Sequence, residues 1–219
     1  MKYYSQRGAL LEAARRMSAE GLTHGTSGNV SVRVEDGLLI TPTGMAYSQL
    51  SQEDLVEVRW DGTVPAGQRA ASSEWQMHRD LYQHREDASA IFHTHSMFCT
   101  TLSCLRKPIP AVHYMIAVTG ASVVRCARYE TFGTAELSAA AGEALKGSKA
   151  CLLANHGMVA LGSSLADAHK VTSEVENLAA QYWRALQIGE PFILDDAEIA
   201  RVIQKFATYG QQPKSNRRR

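Results

Sequence analysis

Apolar residues recur at Leu10, Leu11, Ala14 and Met17 between residues 4 and 20, the spacing of one helical face, and Gly21 supplies a C-terminal stop. A first amphipathic helix is predicted there. The period then changes. Asn29 to Val34 alternates, and after Glu35-Asp36-Gly37 an apolar run resumes at Gly37-Leu38-Leu39-Ile40, which predicts a hairpin with an Asp-Gly turn. Thr41-Pro42-Thr43-Gly44 breaks the second strand; Val56 to Trp60 predicts another, followed by a second Asp-Gly turn at Asp61-Gly62. Ser73 and Gln76 have capping-box spacing, so a helix is expected to run to about Arg85 with Glu74 in its first turn. Ala88 to His95 reads as a buried strand entering a polar end, Leu102 and Pro108 to Pro110 as brackets of a loop, Ala111 to Val118 as strand-like and Ala135 to Leu145 as a helix. Cys151-Leu152-Leu153-Ala154 is a core strand running into Asn155-His156-Gly157, and Leu165 to Leu186 is one long helix. Interleaved strands and helices with Asp-Gly hairpins predict an α/β chain whose mixed sheet is covered by helices on both faces.

Composition narrows the class of protein. The 219 residues are 45% hydrophobic, enough for one sizeable core, and no repeat or low-complexity linker marks a boundary. A single domain is expected. Lysine plus arginine (23) nearly balances aspartate plus glutamate (22), so no global field would attract nucleic acid or an anionic membrane, and any anion site must be local. Arg217, Arg218 and Arg219, with Lys214 and Pro213 nearby, read as a solvated basic tail over residues 211 to 219. No apolar stretch approaches the roughly 18 to 20 residues of a membrane helix, and charges at Arg7, Glu12, Arg15, Arg16 and Glu20 argue against a signal peptide. Cys99, Cys104, Cys126 and Cys151 form no Cys-x-x-Cys pair, which fits a reducing cytoplasm.

The chemistry concentrates in histidines and hydroxyls. His93 and His95 lie at the end of an apolar strand, where a two-residue repeat projects both imidazoles from one face. His156 also follows an apolar strand and is flanked by Asn155 and Gly157. Three imidazoles suit a borderline cation such as zinc with an open coordination position. A His-x-His pair alone is equally compatible with ordinary hydrogen-bonded histidines, the reading adopted for His24, His78, His84, His113 and His169. His156 and the Glu74 carboxylate add weight to the metal reading, with His78, four residues after Glu74, as the rival ligand. A cupin barrel would need a glutamate just downstream of the pair, and a cytidine deaminase would need His-x-Glu and Cys-x-x-Cys; neither is present. Gly25-Thr26-Ser27-Gly28-Asn29, Thr41-Pro42-Thr43-Gly44 and Ala71-Ser72-Ser73 are hydroxyl- and glycine-rich segments that can bind phosphate through backbone N–H groups, although turns use the same residues. No Walker pattern occurs.

Taken together and in order, these segments resemble the class II aldolase/adducin family. The matching stretches are Gly25 to Ser31, Leu39 to Gly44, Ser72 to Trp75, His93 to His95, Ile109 to Ala117, Cys126 to Thr134, Asn155 to Gly157 and Lys205 to Gly210, nearly the whole chain. The resemblance implies a three-layer α/β/α domain over residues 1 to 210 with a largely antiparallel central sheet, assembled as a homotetramer with active sites between subunits. It implies that His93, His95 and His156 hold zinc, with Glu74 near or on the metal, and that Thr26, Asn29, Thr43, Gly44, Ser72 and Ser73 hold the substrate phosphate. Tyr114 and Tyr209 would reach into the neighbouring subunit's site, and Phe132 would line the aldehyde side. The implied reaction is cleavage of a ketose 1-phosphate to dihydroxyacetone phosphate and an aldehyde, with Glu74 and Tyr114 as proton carriers. Candidate substrates are L-fuculose 1-phosphate, 5-deoxyribulose 1-phosphate and 5-methylthioribulose 1-phosphate. The rival activities on this scaffold are those of a dehydratase, a decarboxylase or an epimerase. Val112 to Gly120 lacks the extra acid expected of the epimerase branch, and a non-catalytic adducin-like module would typically lack the metal residues.

Overall fold

The computed structural model describes residues 2–206 and 208. Local pattern and structure agree first at α1 (Tyr4–Ala19), whose Leu10, Ala14 and Met17 are buried on one face. β1 (Asn29–Val34) and β2 (Gly37–Ile40) form the expected hairpin, but its turn residues are Glu35 and Asp36, and Gly37 already pairs with Val34. β3 (Val56–Arg59) adds to the outer edge. α2 (Trp75–His84) begins one residue later than the capping-box reading placed it: Glu74 is the N-cap, no side-chain cap forms there, and the Ser72 hydroxyl takes the Glu74 N–H instead.

β4 (Ala90–Thr94) is followed by α3 (Met97–Cys104), whose last turn enters the stretch after Leu102 that was expected as a loop. β5 (Ile109–Pro110) precedes a 3₁₀ helix, Tyr114–Thr119, where the alternation of residues 111–118 reads as a strand. The physical reason is local: the His113 ring accepts the Met115 N–H and winds the chain before a ladder can form. β6 (Val123–Val124), β7 (Cys126–Ala127), α4 (Ala135–Ala144), β8 (Ala150–Leu153), β9 (Gly157–Gly162), α5 (Leu165–Ile188) and α6 (Asp196–Phe206), with a short 3₁₀ turn at Tyr47–Gln49 between β2 and β3, complete the described elements. The basic tail, 211–219, lies outside the described residues.

The central sheet runs β3-β2-β1-β4-β9-β8-β7, antiparallel except for β7 with β8. Strand alternation divides its side chains. On one face Leu38, Ile40, Val56, Ile91, Leu153 and Val159 pack under α2 and α4, through Met77, Leu81, Leu137 and Ala141. On the other, Leu152, Met158 and Ala160 pack under α3, α5 and α6, and Val30, Leu39 and Phe92 pack under α1. The fold is therefore the three-layer, mostly antiparallel α/β/α domain expected. His93 shares its parity with Ile91, so it emerges on the α2 face at the end of the central strand pair.

That pair is close. A Cβ at Gly157 would fall inside van der Waals contact of the Thr94 carbonyl oxygen and 3.0 Å from the His95 ring. Gly157→Ala is expected to destabilise the protein by about 1–3 kcal/mol, the usual cost of overpacking. Denaturant titration checks this, and wild-type stability would mean that β4 and β9 can separate freely.

Candidate metal centre and cleft

Pairing of β4 with β9 sets His93 opposite Val159 and Thr94 opposite Met158, and the β8–β9 turn delivers His156 to the same end of the sheet. Asn155 takes that turn with φ 54°, a conformation asparagine tolerates better than most residues. The rings of His93, His95 and His156 stand 4.8–4.9 Å apart, centroid to centroid, each pair close to edge-on. One nitrogen from each lies within 4.8 Å of the others.

The hydrogen bonds fix which atoms converge. His93 is fully buried, and its Nδ1 donates to the Met158 carbonyl at 2.9 Å, so in the tautomer this bond imposes Nε2 carries a lone pair. Yet Nε2 faces His95 Nε2 at 3.0 Å and the Glu74 Oε2 carboxylate oxygen at 3.0 Å. Electron pairs gathered in this way call for a cation between them. The same Nδ1-to-carbonyl bond is the usual outer support of a metal-ligating histidine. Glu74 Oε1 is buried without a hydrogen bond, 3.4 Å from His156 Nε2. Three imidazoles and an orphaned carboxylate oxygen fit a divalent metal; ideal tetrahedral ligation would separate the nitrogens by about 3.3 Å.

The charge distribution shows the same demand for positive charge at this point, which a proton on His93 can also meet. Burial by itself would raise the Glu74 carboxyl. The charge and hydrogen bond of His93, then His156 and the Asn29 amide, outweigh it and hold the group well below the carboxylate range. Burial, reinforced by the His93 charge, lowers both His95 and His156 to about 4. Burial opposes protonation of His93 too, but Glu74 outweighs it and raises this imidazole above its ordinary value. His95 and His156 thus present lone pairs at neutral pH.

A cleft of about 340 Å³ opens over this centre. His95, His156 and Glu74 line it, and so do Thr26, Asn29, Thr43, Gly44, Ser72, Ser73 and Phe132. The hydroxyl loops are prebuilt. Thr43 and Ser72 exchange backbone bonds with Ala70 and Thr41, tying two of them together, while the Tyr47 hydroxyl donates to the Gly28 carbonyl at 2.7 Å and pins the third. Asn29 Nδ2 donates to Glu74 Oε2 at 3.0 Å, so this side chain orients the carboxylate.

Two residues that sequence reasoning did not single out also line the cleft: Tyr129 and Glu130, the latter paired with Arg128 at 2.8 Å. Their loop is brought in by Gly133, which at φ 74° lies so close to the Ser73 carbonyl that a Cβ would stand 2.9 Å away. Tyr114 is not brought in: it sits on the 3₁₀ helix, 47% exposed, away from the cleft wall. Tyr209 lies outside the described residues. His78 is not one of the three clustered imidazoles. Burial lowers it to about 3, and its Nδ1 is engaged by the Ser31 hydroxyl at 2.7 Å. His84, His113 and His169 are likewise engaged elsewhere, with the Asp80 carbonyl, the Met115 N–H and Glu20.

A metal-ready histidine triad beside hydroxyl loops, on a mostly antiparallel α/β/α scaffold, defines a class of metal-dependent enzyme. The chain belongs to the class II aldolase family, since the family model described as Class II Aldolase and Adducin N-terminal domain matches residues 8–183. It is 52% identical to a 5-methylthioribulose-1-phosphate/5-deoxyribulose-1-phosphate aldolase of Rhodospirillum rubrum, over 93% of this chain and 92% of that one. It is 46% identical to the L-fuculose phosphate aldolase of Escherichia coli K12, over 92% and 94%. A solved L-fuculose 1-phosphate aldolase superposes with a TM-score of 0.91 at 41% identity, covering 94% of this chain and 98% of that one. The chain is accordingly a carbon–carbon lyase. Among the described residues no helix is long and apolar enough to cross a membrane.

Proposed function

We propose that this chain is a zinc-dependent aldolase that reversibly cleaves a ketose 1-phosphate to dihydroxyacetone phosphate and an aldehyde ending in a methyl or methylthio group. The observation that carries this reading is the joining, in one cleft, of the three-imidazole cluster, the orphaned Glu74 oxygen and the hydroxyl loops. The aldolases with 52% and 46% identity, named for 5-methylthioribulose 1-phosphate, 5-deoxyribulose 1-phosphate and L-fuculose phosphate, support the substrate class.

His93, His95 and His156 would hold the metal, with Glu74 beside them. A divalent cation there supplies Lewis-acid stabilisation of the charge that builds on the ketose oxygen as the carbon–carbon bond breaks. Thr26, Asn29, Thr43, Gly44, Ser72 and Ser73 bind the phosphate through hydroxyls, the amide and backbone N–H groups, without a lysine or arginine. That anchor sets the reacting carbons over Glu74. The Glu74 carboxylate, held unprotonated, carries the proton to and from the carbon that loses its bond, oriented by Asn29. Tyr114, exposed on the 3₁₀ helix, exchanges the proton of the hydroxyl that becomes the aldehyde in a neighbouring copy, with Tyr209 alongside, in a cytoplasmic homotetramer. Phe132 faces the apolar end of the substrate.

The test couples dihydroxyacetone phosphate release to NADH oxidation with L-fuculose 1-phosphate, 5-deoxyribulose 1-phosphate and 5-methylthioribulose 1-phosphate in parallel. At least one is expected to be cleaved with kcat/KM of about 10⁴ M⁻¹s⁻¹ or more. No release from any of the three would overturn the reading.

A further inference from the structure

The three clustered histidines are not held alike. His93 sits in the β4 ladder, opposite Asn29 and Val159, and its ring is anchored on Met158. His95 lies one residue beyond the end of β4, and among the described residues no hydrogen bond reaches its Nδ1. Apart from its ring contacts with His93 and His156 and the close approach of Gly157, its place depends on the backbone around it.

The segment immediately after it is clamped from another element. Glu176, in the middle of α5, inserts its carboxylate at the start of α3. Oε1 accepts the Phe98 N–H at 2.8 Å, and Oε2 accepts the Cys99 N–H at 2.9 Å and the Ser96 hydroxyl at 2.7 Å. Ser96 occupies the N-cap position of α3 and is a residue type that normally caps with its own hydroxyl, yet it makes no such bond. Its hydroxyl is turned to Glu176, which caps the helix in its place. Ser96 and Cys99 are fully buried, so two of the three donors are shielded from water, while Phe98 and Glu176 are half-buried. A charge-assisted, three-donor clamp is strong and directional.

We propose that Glu176 is a positioning residue for the metal site, fixing His95 within the triad by locking the turn that leaves it. This rests on the metal reading above. It links α5, on the sheet face away from α2, to the coordination geometry without touching substrate or metal.

The test compares wild type, Glu176→Gln, Glu176→Ala and a control, Val175→Ala, which removes core packing one residue away on the same helix. Apoprotein of each is titrated with zinc against a chromogenic chelator, loaded with cobalt for its d–d absorption spectrum, and melted. Glu176→Ala is expected to bind zinc more weakly, by up to the about 10- to 100-fold lost when a group bonded directly to a ligand is removed, with an altered cobalt spectrum. Glu176→Gln keeps one acceptor and should fall between it and wild type. Val175→Ala should lose thermal stability but keep near-wild-type affinity and spectrum. Wild-type affinity in both Glu176 variants overturns the proposal, and so does an equal loss of affinity in Val175→Ala. Should Glu176→Ala not fold, Glu176→Gln carries the comparison alone. A wild-type protein that takes up no metal overturns this proposal together with the metal reading, whereas metal-binding wild type with unaffected Glu176 variants overturns this proposal only.

Discussion

Glu74→Gln is expected to lower kcat by about 10²- to 10⁴-fold, the range lost with a general acid–base group, while leaving the metal content and KM close to wild type. Glutamine has the same shape. Its carbonyl oxygen can accept the Asn29 amide where Oε2 now does, and its NH₂ can replace Oε1 beside His156. The hydroxyl loops that would hold the phosphate are braced by Tyr47, Thr41 and Ala70, not by Glu74. What disappears is a carboxylate kept ionised in a buried place by its histidine neighbours. Single-turnover and steady-state assays, with metal analysis of the same samples, check this. A kcat within about threefold of wild type, well short of a general-base loss, would remove Glu74 from the chemistry.

The residues that would perform this chemistry were legible to different degrees. His93 and His95 could be read because their strand has an apolar run with a polar end, and His156 because Cys151 to Ala154 has the same form. Their convergence could not. It depends on β9, a run buried on both faces with glycine at each end, which carries no alternation to announce a strand. Only its pairing with both β4 and β8 puts His156 next to His93. The family resemblance supplied that proximity in advance, and local pattern did not. The same limit explains α6, whose buried residues are only Ile199 and Val202, and the 3₁₀ helix at 114–119, where one histidine–amide bond overrides apparent alternation. Glu130 and Tyr129 reach the cleft through a close approach at Gly133, a contact 60 residues apart in sequence with no periodic signature. Long-range packing is what made these features illegible.

That dependence on packing ranks the ligands and leads to the second large effect. His93→Ala is expected to weaken metal binding by more than about 100-fold, beyond what outer-shell changes produce, and to abolish measurable cleavage; His156→Ala should lose metal as well, to a smaller extent. His93 is fully enclosed and braced by Met158, so its ring cannot be replaced by a neighbour or by solvent. Its removal also leaves Glu74 buried without the partner that contributes most to keeping it ionised. Burial then meets opposition only from His156 and the Asn29 amide, and the Glu74 carboxyl moves up from its depressed value. His156 is partly open to the cleft, where water can fill the vacated position. Metal stoichiometry after dialysis against a weak chelator, with zinc and cobalt titrations of the apoproteins, measures both losses. Stoichiometric metal retained in both variants would mean that the ion is held by other residues, and the ligand set drawn from the three converging imidazoles would have to be abandoned.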